Sequence, residues 1–141
     1  MGMYASDCVL ALGCLSMSYP VMPLWFALMW LVGYQCHAPA CLLCLVVTTI
    51  LKRALPKARP SQVTRRIDLS MEVCHPNHSF PSGDVAQAAV VAQTVGHPSM
   101  VLLVMLAAAG RYHYRRHDLT DIVFGALVGV LCVRLAQVCA C

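Results

Sequence analysis

Apolar residues fall into five or six blocks along the chain: about Cys8 to Tyr19, Val21 to Gln35, Ala38 to Leu51, Ser82 to Val95, Met100 to Tyr112 and Asp121 to Ala140. All are predicted as helices. A full membrane crossing takes about 20 residues, and only the last block approaches that alone. The others reach it by extending into their polar flanks, by tilting, or in a thinned bilayer. Pro20 and Pro23 either separate the first two blocks or kink one longer helix, which leaves open whether the first block crosses.

Between Lys52 and Phe80 the pattern turns polar, and Pro56, Pro60 and Pro76 interrupt any helix. Structureless stretches of this length, about 29 residues, tend to be functional in a compact bundle. From Asp84 to Arg111 the chain spans roughly 40 Å if helical, but Gly96, His97 and Pro98 break it into two legs. A hairpin of those legs returns Asp84 and Arg111 to one end of the bundle, on the side of the polar loop.

Composition turns this helical pattern into a membrane one. Only 11% of the 141 residues are charged and 60% are apolar, against about 25% charged in ordinary soluble domains. The expectation is a single membrane-embedded domain over residues 1–141, an all-α bundle with its active site at one membrane face. Net charge is +4, and nine of the ten Lys and Arg lie between Lys52 and Arg116. Positive charge this local implies a local purpose and no nucleic-acid partner.

Of nine cysteines, Cys8, Cys14, Cys41, Cys44 and Cys132 sit inside apolar runs and read as buried thiols rather than disulfides. Cys41 and Cys44 form a C-x-x-C with no second pair or suitably placed histidine to complete a zinc site. The start, MGMYASDC, lacks the basic region of a cleaved signal. Gly2 with Ser6 fits the loose myristoylation pattern, and Cys139 and Cys141 are lipidation candidates, though a chance match and a plain helix end are the blander readings. Gly125 and Gly129 form a G-x-x-x-G, read as close packing within the bundle rather than dimerisation.

Three polar clusters converge at the one end: KRALPKARP from Lys52 to Pro60, PSGD from Pro81 to Asp84, and GRYHYRRHDLTD from Gly110 to Asp121. Lys52, Arg59 and Arg111 bring three positive charges to a phosphate, Arg as a planar fork and Lys as a point charge. Ser82 supplies a hydroxyl, and the N–H groups of Gly83 and its neighbours at a helix N-terminus point at an anion. His117 and Asp121, four apart, share a face if helical. A carboxylate on one imidazole nitrogen fixes the tautomer and frees the other nitrogen to attack phosphorus.

With these residues in place the chain resembles the type 2 phosphatidic acid phosphatase and haloperoxidase superfamily, whose motifs are K-x6-R-P, P-S-G-H and S-R-x5-H-x3-D. Lys52, Arg59 and Pro60 match the first, Pro81, Ser82 and Gly83 most of the second, and Arg111, His117 and Asp121 the third. The matched core runs from residue 52 to residue 121. The resemblance implies an all-α bundle, hydrolysis of a phosphate ester without metal or other cofactor, and a phosphohistidine on His117.

Two positions depart from the pattern. Gly110 replaces a serine, removing one hydroxyl donor. Asp84 replaces the histidine that in the family protonates the leaving group. An aspartate does this only when protonated; its reference pKa is about 3.9, the helix dipole lowers it, and a bound phosphate and burial raise it. An ionised Asp84 forfeits roughly 10²- to 10⁴-fold in rate. A diphosphate suffers less than a monoester, because its phosphate leaving group needs protonation less than an alkoxide does. The expected substrate is therefore an isoprenoid or other lipid diphosphate, with a phosphatidate-like monophosphate close behind. His75, His78 and His113 are candidate replacements for the missing histidine, each more commonly a solvated loop residue; His78 lies closest to the turn. Arg115 and Arg116 either draw in anionic substrate or lie among lipid headgroups.

One rival is a catalytically impaired lipid-phosphate-binding membrane protein, but binding alone needs no nucleophile with an orienting carboxylate. A vanadate-dependent haloperoxidase shares the motifs, yet such enzymes are soluble by family analogy. The basic cluster argues for a cytosolic site; the family's habit and the sequon at Asn77 argue for a lumenal one. A lumenal site in an endomembrane, the endoplasmic reticulum first, is the expectation. The expected partners are membrane lipids and the lipid phosphate or diphosphate substrate.

Overall fold

The computed structural model describes residues 22–34, 37–60 and 78–140, which are helical with no strand among them. The five α-helices are α1 (Met22–Leu31), α2 (His37–Ala54), α3 (Gly83–Val95), α4 (Val101–His113) and α5 (Leu119–Ala140), with a 3₁₀ turn at Pro98–Met100. The first apolar block, Gly2, His75, Asn77 and Cys141 lie outside the described residues.

Helix α3 is the hub. It is apolar nearly all round, so it is buried along its length, from Val85 through Val91. Its Ala86 and Val90 pack with Ala40, Cys41 and Cys44 of α2 and with Cys132, Val133 and Ala136 of α5. Its other face, Val85, Ala88 and Val91, meets Met29 of α1, Ala107 of α4 and Ile122 of α5. Small residues set the spacing. Built onto Gly125, a Cβ would lie 2.5 Å from the Ser82 carbonyl oxygen, and one on Gly129 would overlap the Ala86 carbonyl. The G-x-x-x-G of α5 thus seats α3 within the same chain. Cys41, Cys44 and Cys132 are buried free thiols, as their apolar surroundings imply. Gln87 Nε2 donates to the Cys41 carbonyl at 3.2 Å, tying α3 to α2 across the core.

Helix α3 stops at Gly96, whose φ of +70° closes the helix end in the left-handed conformation that glycine favours. The 3₁₀ turn then reverses the chain into α4, giving the hairpin expected from the break at residues 96–98. Among the described residues, two helices, His37–Ala54 and Leu119–Cys139, are long and apolar enough to cross a membrane. Large apolar residues stand exposed in stripes at helical spacing: Leu119, Val123, Leu127, Leu131 and Leu135 on α5, and Leu42, Val46 and Ile50 on α2. Contiguous apolar surface of this kind suits a lipid environment.

Candidate active site

The three polar clusters meet at one end of the helices. Lys52 stands near the end of α2, which runs three residues beyond the predicted Leu51, and its Nζ donates to the His78 carbonyl at 3.3 Å. The following loop is pinned to the segment entering α3: an isolated antiparallel bridge joins Ala58 to His78, and Ser79 N donates to the Lys57 carbonyl at 2.9 Å. Arg59, two residues beyond Lys57, is half-buried at this junction. Burial, with the charges of Arg116 and Arg111 beside it, pushes its pKa down to about 10, so it stays cationic at neutral pH.

Ser82 and Gly83 open α3. Ser82 N donates to the Asp121 carbonyl at 3.0 Å, which fixes this turn against the start of α5. The Ser82 hydroxyl is fully buried, caps nothing, and has no hydrogen-bond partner among the described residues. A buried hydroxyl in that state is poised for an acceptor that arrives from outside. N–H groups in the first turn of a helix likewise have no partner within it.

Asp84 lies on the same turn, and its carboxylate is ion-paired with the guanidinium of Arg111 at the end of α4. The helix dipole, a bound phosphate and burial are the influences visible in the sequence; a further one, the buried Arg111 in direct contact, is decided by the α3–α4 hairpin. It favours the charged carboxylate.

His117 is reached by a tight reversal after α4. The backbone N–H of Arg116 returns to the Arg111 carbonyl at 3.0 Å, and Arg115 adopts a positive φ of 49°. That reversal explains the five-residue gap between Arg111 and His117. The ring is 2% exposed. His117 is not on a helix, contrary to the shared helical face expected from the four-residue spacing, because Asp118 ends the turn and α5 begins at Leu119. Asp118 and Asp121 instead form a capping box. Asp121 N donates to Asp118 Oδ1 and Asp118 N to Asp121 Oδ2, each at 3.1 Å. The box turns the Asp121 carboxylate back toward the ring: His117 Nδ1 lies 3.6 Å from Asp121 Oδ2, an electrostatic contact slightly longer than a hydrogen bond.

Burial pushes the His117 pKa down to about 4; the Asp121 carboxylate opposes this, while Arg111, Lys52 and Arg59 reinforce it. The imidazole is therefore neutral at physiological pH, with Nδ1 toward the carboxylate. The same influences report that all three predicted cations bear on this one ring. An open cavity of about 680 Å³ adjoins His117, bordered by Pro60, Tyr112, His113, Arg115 and Asp118. His78 serves the junction through its backbone, and His113 faces the cavity and stacks edge-on with Tyr114.

Sequence reasoning passed over Lys57, the fifth residue inside the first motif's gap. Its Nζ contacts Asp118 Oδ2 at 2.5 Å, Thr120 Oγ1 at 2.8 Å and Asp121 Oδ1 at 2.8 Å. No local pattern announces it, since its partners are 61 to 64 residues away.

A family model, the PAP2 superfamily, matches residues 34–140, and the chain belongs to that superfamily. No solved structure matches it. Membership implies phosphatase-type activity.

Proposed function

Taking PAP2 membership as the premise, we propose that the chain is an integral membrane lipid phosphohydrolase that works without metal through a phosphohistidine on His117. The observation that carries this reading is the buried, neutral imidazole with a carboxylate at Nδ1 and three cations bearing on it. Binding alone gains nothing from such a ring. Lys52, Arg59 and Arg111 would hold the phosphoryl oxygens, joined by the Ser82 hydroxyl and the N–H groups at Gly83. The Nε2 lone pair of His117 attacks phosphorus as the P–O bond to the leaving group breaks; water then attacks the phosphohistidine, releasing phosphate and restoring the ring. Asp121 stabilises the positive charge that grows on the imidazole.

Pairing with Arg111 favours the charged form of Asp84, which makes it a poor proton donor to the leaving group. That supports a lipid diphosphate, such as an isoprenoid diphosphate, over a monoester, because the departing phosphate is stable as an anion. The exposed apolar stripes support a membrane setting with a lipid tail lying beside the bundle. The test is phosphate release by detergent-extracted protein from farnesyl diphosphate and phosphatidate, with chelator present. Release from the diphosphate in preference to phosphatidate is expected. Binding of both with release from neither would establish the impaired lipid-phosphate binder instead.

A further inference from the structure

Lys57 joins all three motif segments. It belongs to the first; its carbonyl accepts the N–H and hydroxyl of Ser79, which leads into the second, at 2.9 and 3.3 Å; and its ammonium meets Asp118, Thr120 and Asp121 of the third. A three-acceptor seat uses the full donor capacity of a lysine. Desolvation alone would lower the Lys57 pKa, but the hydrogen bonds to Asp118 and Asp121 outweigh it and raise it, so the group is a permanent cation at neutral pH.

The Asp121 carboxylate is thereby divided. Oδ1 takes the Lys57 ammonium at 2.8 Å, and Oδ2 takes the Asp118 N–H at 3.1 Å, while His117 Nδ1 stands off at 3.6 Å. We propose that Lys57 is a positioning residue for the hydrolytic site, clasping the three motif segments together and withholding part of the Asp121 charge from His117 so that the ring rests as a neutral nucleophile. The proposal rests on the reading of His117 as that nucleophile. The charged groups that bear on the ring are Lys52 from α2, Arg59 from the loop, Arg111 from α4, and Asp121 from α5, which lies in contact with it. Lys57 acts on it through Asp121, which it contacts directly. Removing its charge leaves Asp121 free to favour the imidazolium.

The test compares Lys57→Met and Lys57→Arg with wild type in detergent, reading both the pH dependence of kcat/KM and the titration of the His117 ring by NMR. In Lys57→Met the ring's titration and the acid limb should both move up by about one pH unit, with kcat/KM falling about tenfold or more and kcat carrying most of the loss. Lys57→Arg should restore both. Lys57→Gln, which keeps a donor but no charge, replaces Lys57→Met if that chain fails to fold. A purely structural lysine would lower activity and leave the titration unmoved, and that outcome, or unchanged activity, overturns the proposal. A ring titration that shifts in a protein hydrolysing neither lipid would leave the Lys57 coupling standing and sink the phosphatase reading instead.

Discussion

Gly125→Ala isolates how helix packing sets the catalytic geometry. The new Cβ would stand 2.5 Å from the Ser82 carbonyl oxygen and 3.3 Å from the Ser82 carbonyl carbon and Cβ, whereas ordinary contact begins at 3.4 Å. Backbone is on the receiving side, so no side chain can swing away; the first turn of α3 and the start of α5 must part by about 0.9 Å, the shortfall between 2.5 and 3.4 Å. Overpacking of this kind costs about 1–3 kcal/mol. The same parting stretches the 3.0 Å bond from Ser82 N to the Asp121 carbonyl beyond hydrogen-bonding range, at about a further 1 kcal/mol. Displacing the phosphate-facing turn by nearly 1 Å relative to His117 should lower kcat/KM on the order of 100-fold. Leu127→Ala, on the exposed face of the same helix and away from the Ser82 turn, is the control. Thermal unfolding in detergent and phosphate release from farnesyl diphosphate would be measured for both variants. If Gly125→Ala matched wild type in both measurements, or Leu127→Ala were impaired equally, the close approach of α5 to the Ser82 turn would not be what positions the site.

His117→Ala should abolish turnover while leaving inorganic phosphate binding largely intact, checked by isothermal titration; residual hydrolysis would remove His117 as nucleophile. Because burial holds the His117 pKa at about 4, below its ordinary 6.5, the nucleophile's acid limb should lie near pH 4. The folding stability the ring contributes is complete above 6.5 and is lost as pH falls toward 4, to be followed by unfolding midpoints across that window. Ser82→Ala removes a buried hydroxyl with no partner among the described residues, so the unfolding midpoint should hold or rise while KM increases about tenfold. Asp84→His supplies a proton donor and releases Arg111, so turnover of monoesters should rise more than that of diphosphates in a paired substrate assay. A uniform decrease would refute the leaving-group argument.

How much of this was legible beforehand depends on the range of the interaction. The described helix bounds agree with the apolar blocks to within about four residues, because apolar runs and breakers such as Gly96 and Pro98 act locally. The motif spacings single out the side chains that the fold brings to one end of the helices, since charge and nucleophilicity belong to residue types. The spacing of His117 and Asp121 suggests a shared face if helical, because spacing alone cannot tell such a pair from a turn leading into a capping box, and the turn at Arg115 distinguishes them.

What the chain determined by itself is its helicity, its apolar character and the stock of cations, hydroxyl, imidazole and carboxylates at one end. Which charge stands against which was left to tertiary structure. Asp84 against Arg111, Lys57 against Asp121 and Gly125 against Ser82 are each contacts between segments far apart in sequence. Such contacts follow from how the helices cross and how the reversals are angled, and those depend on packing summed over the whole bundle rather than on any local preference.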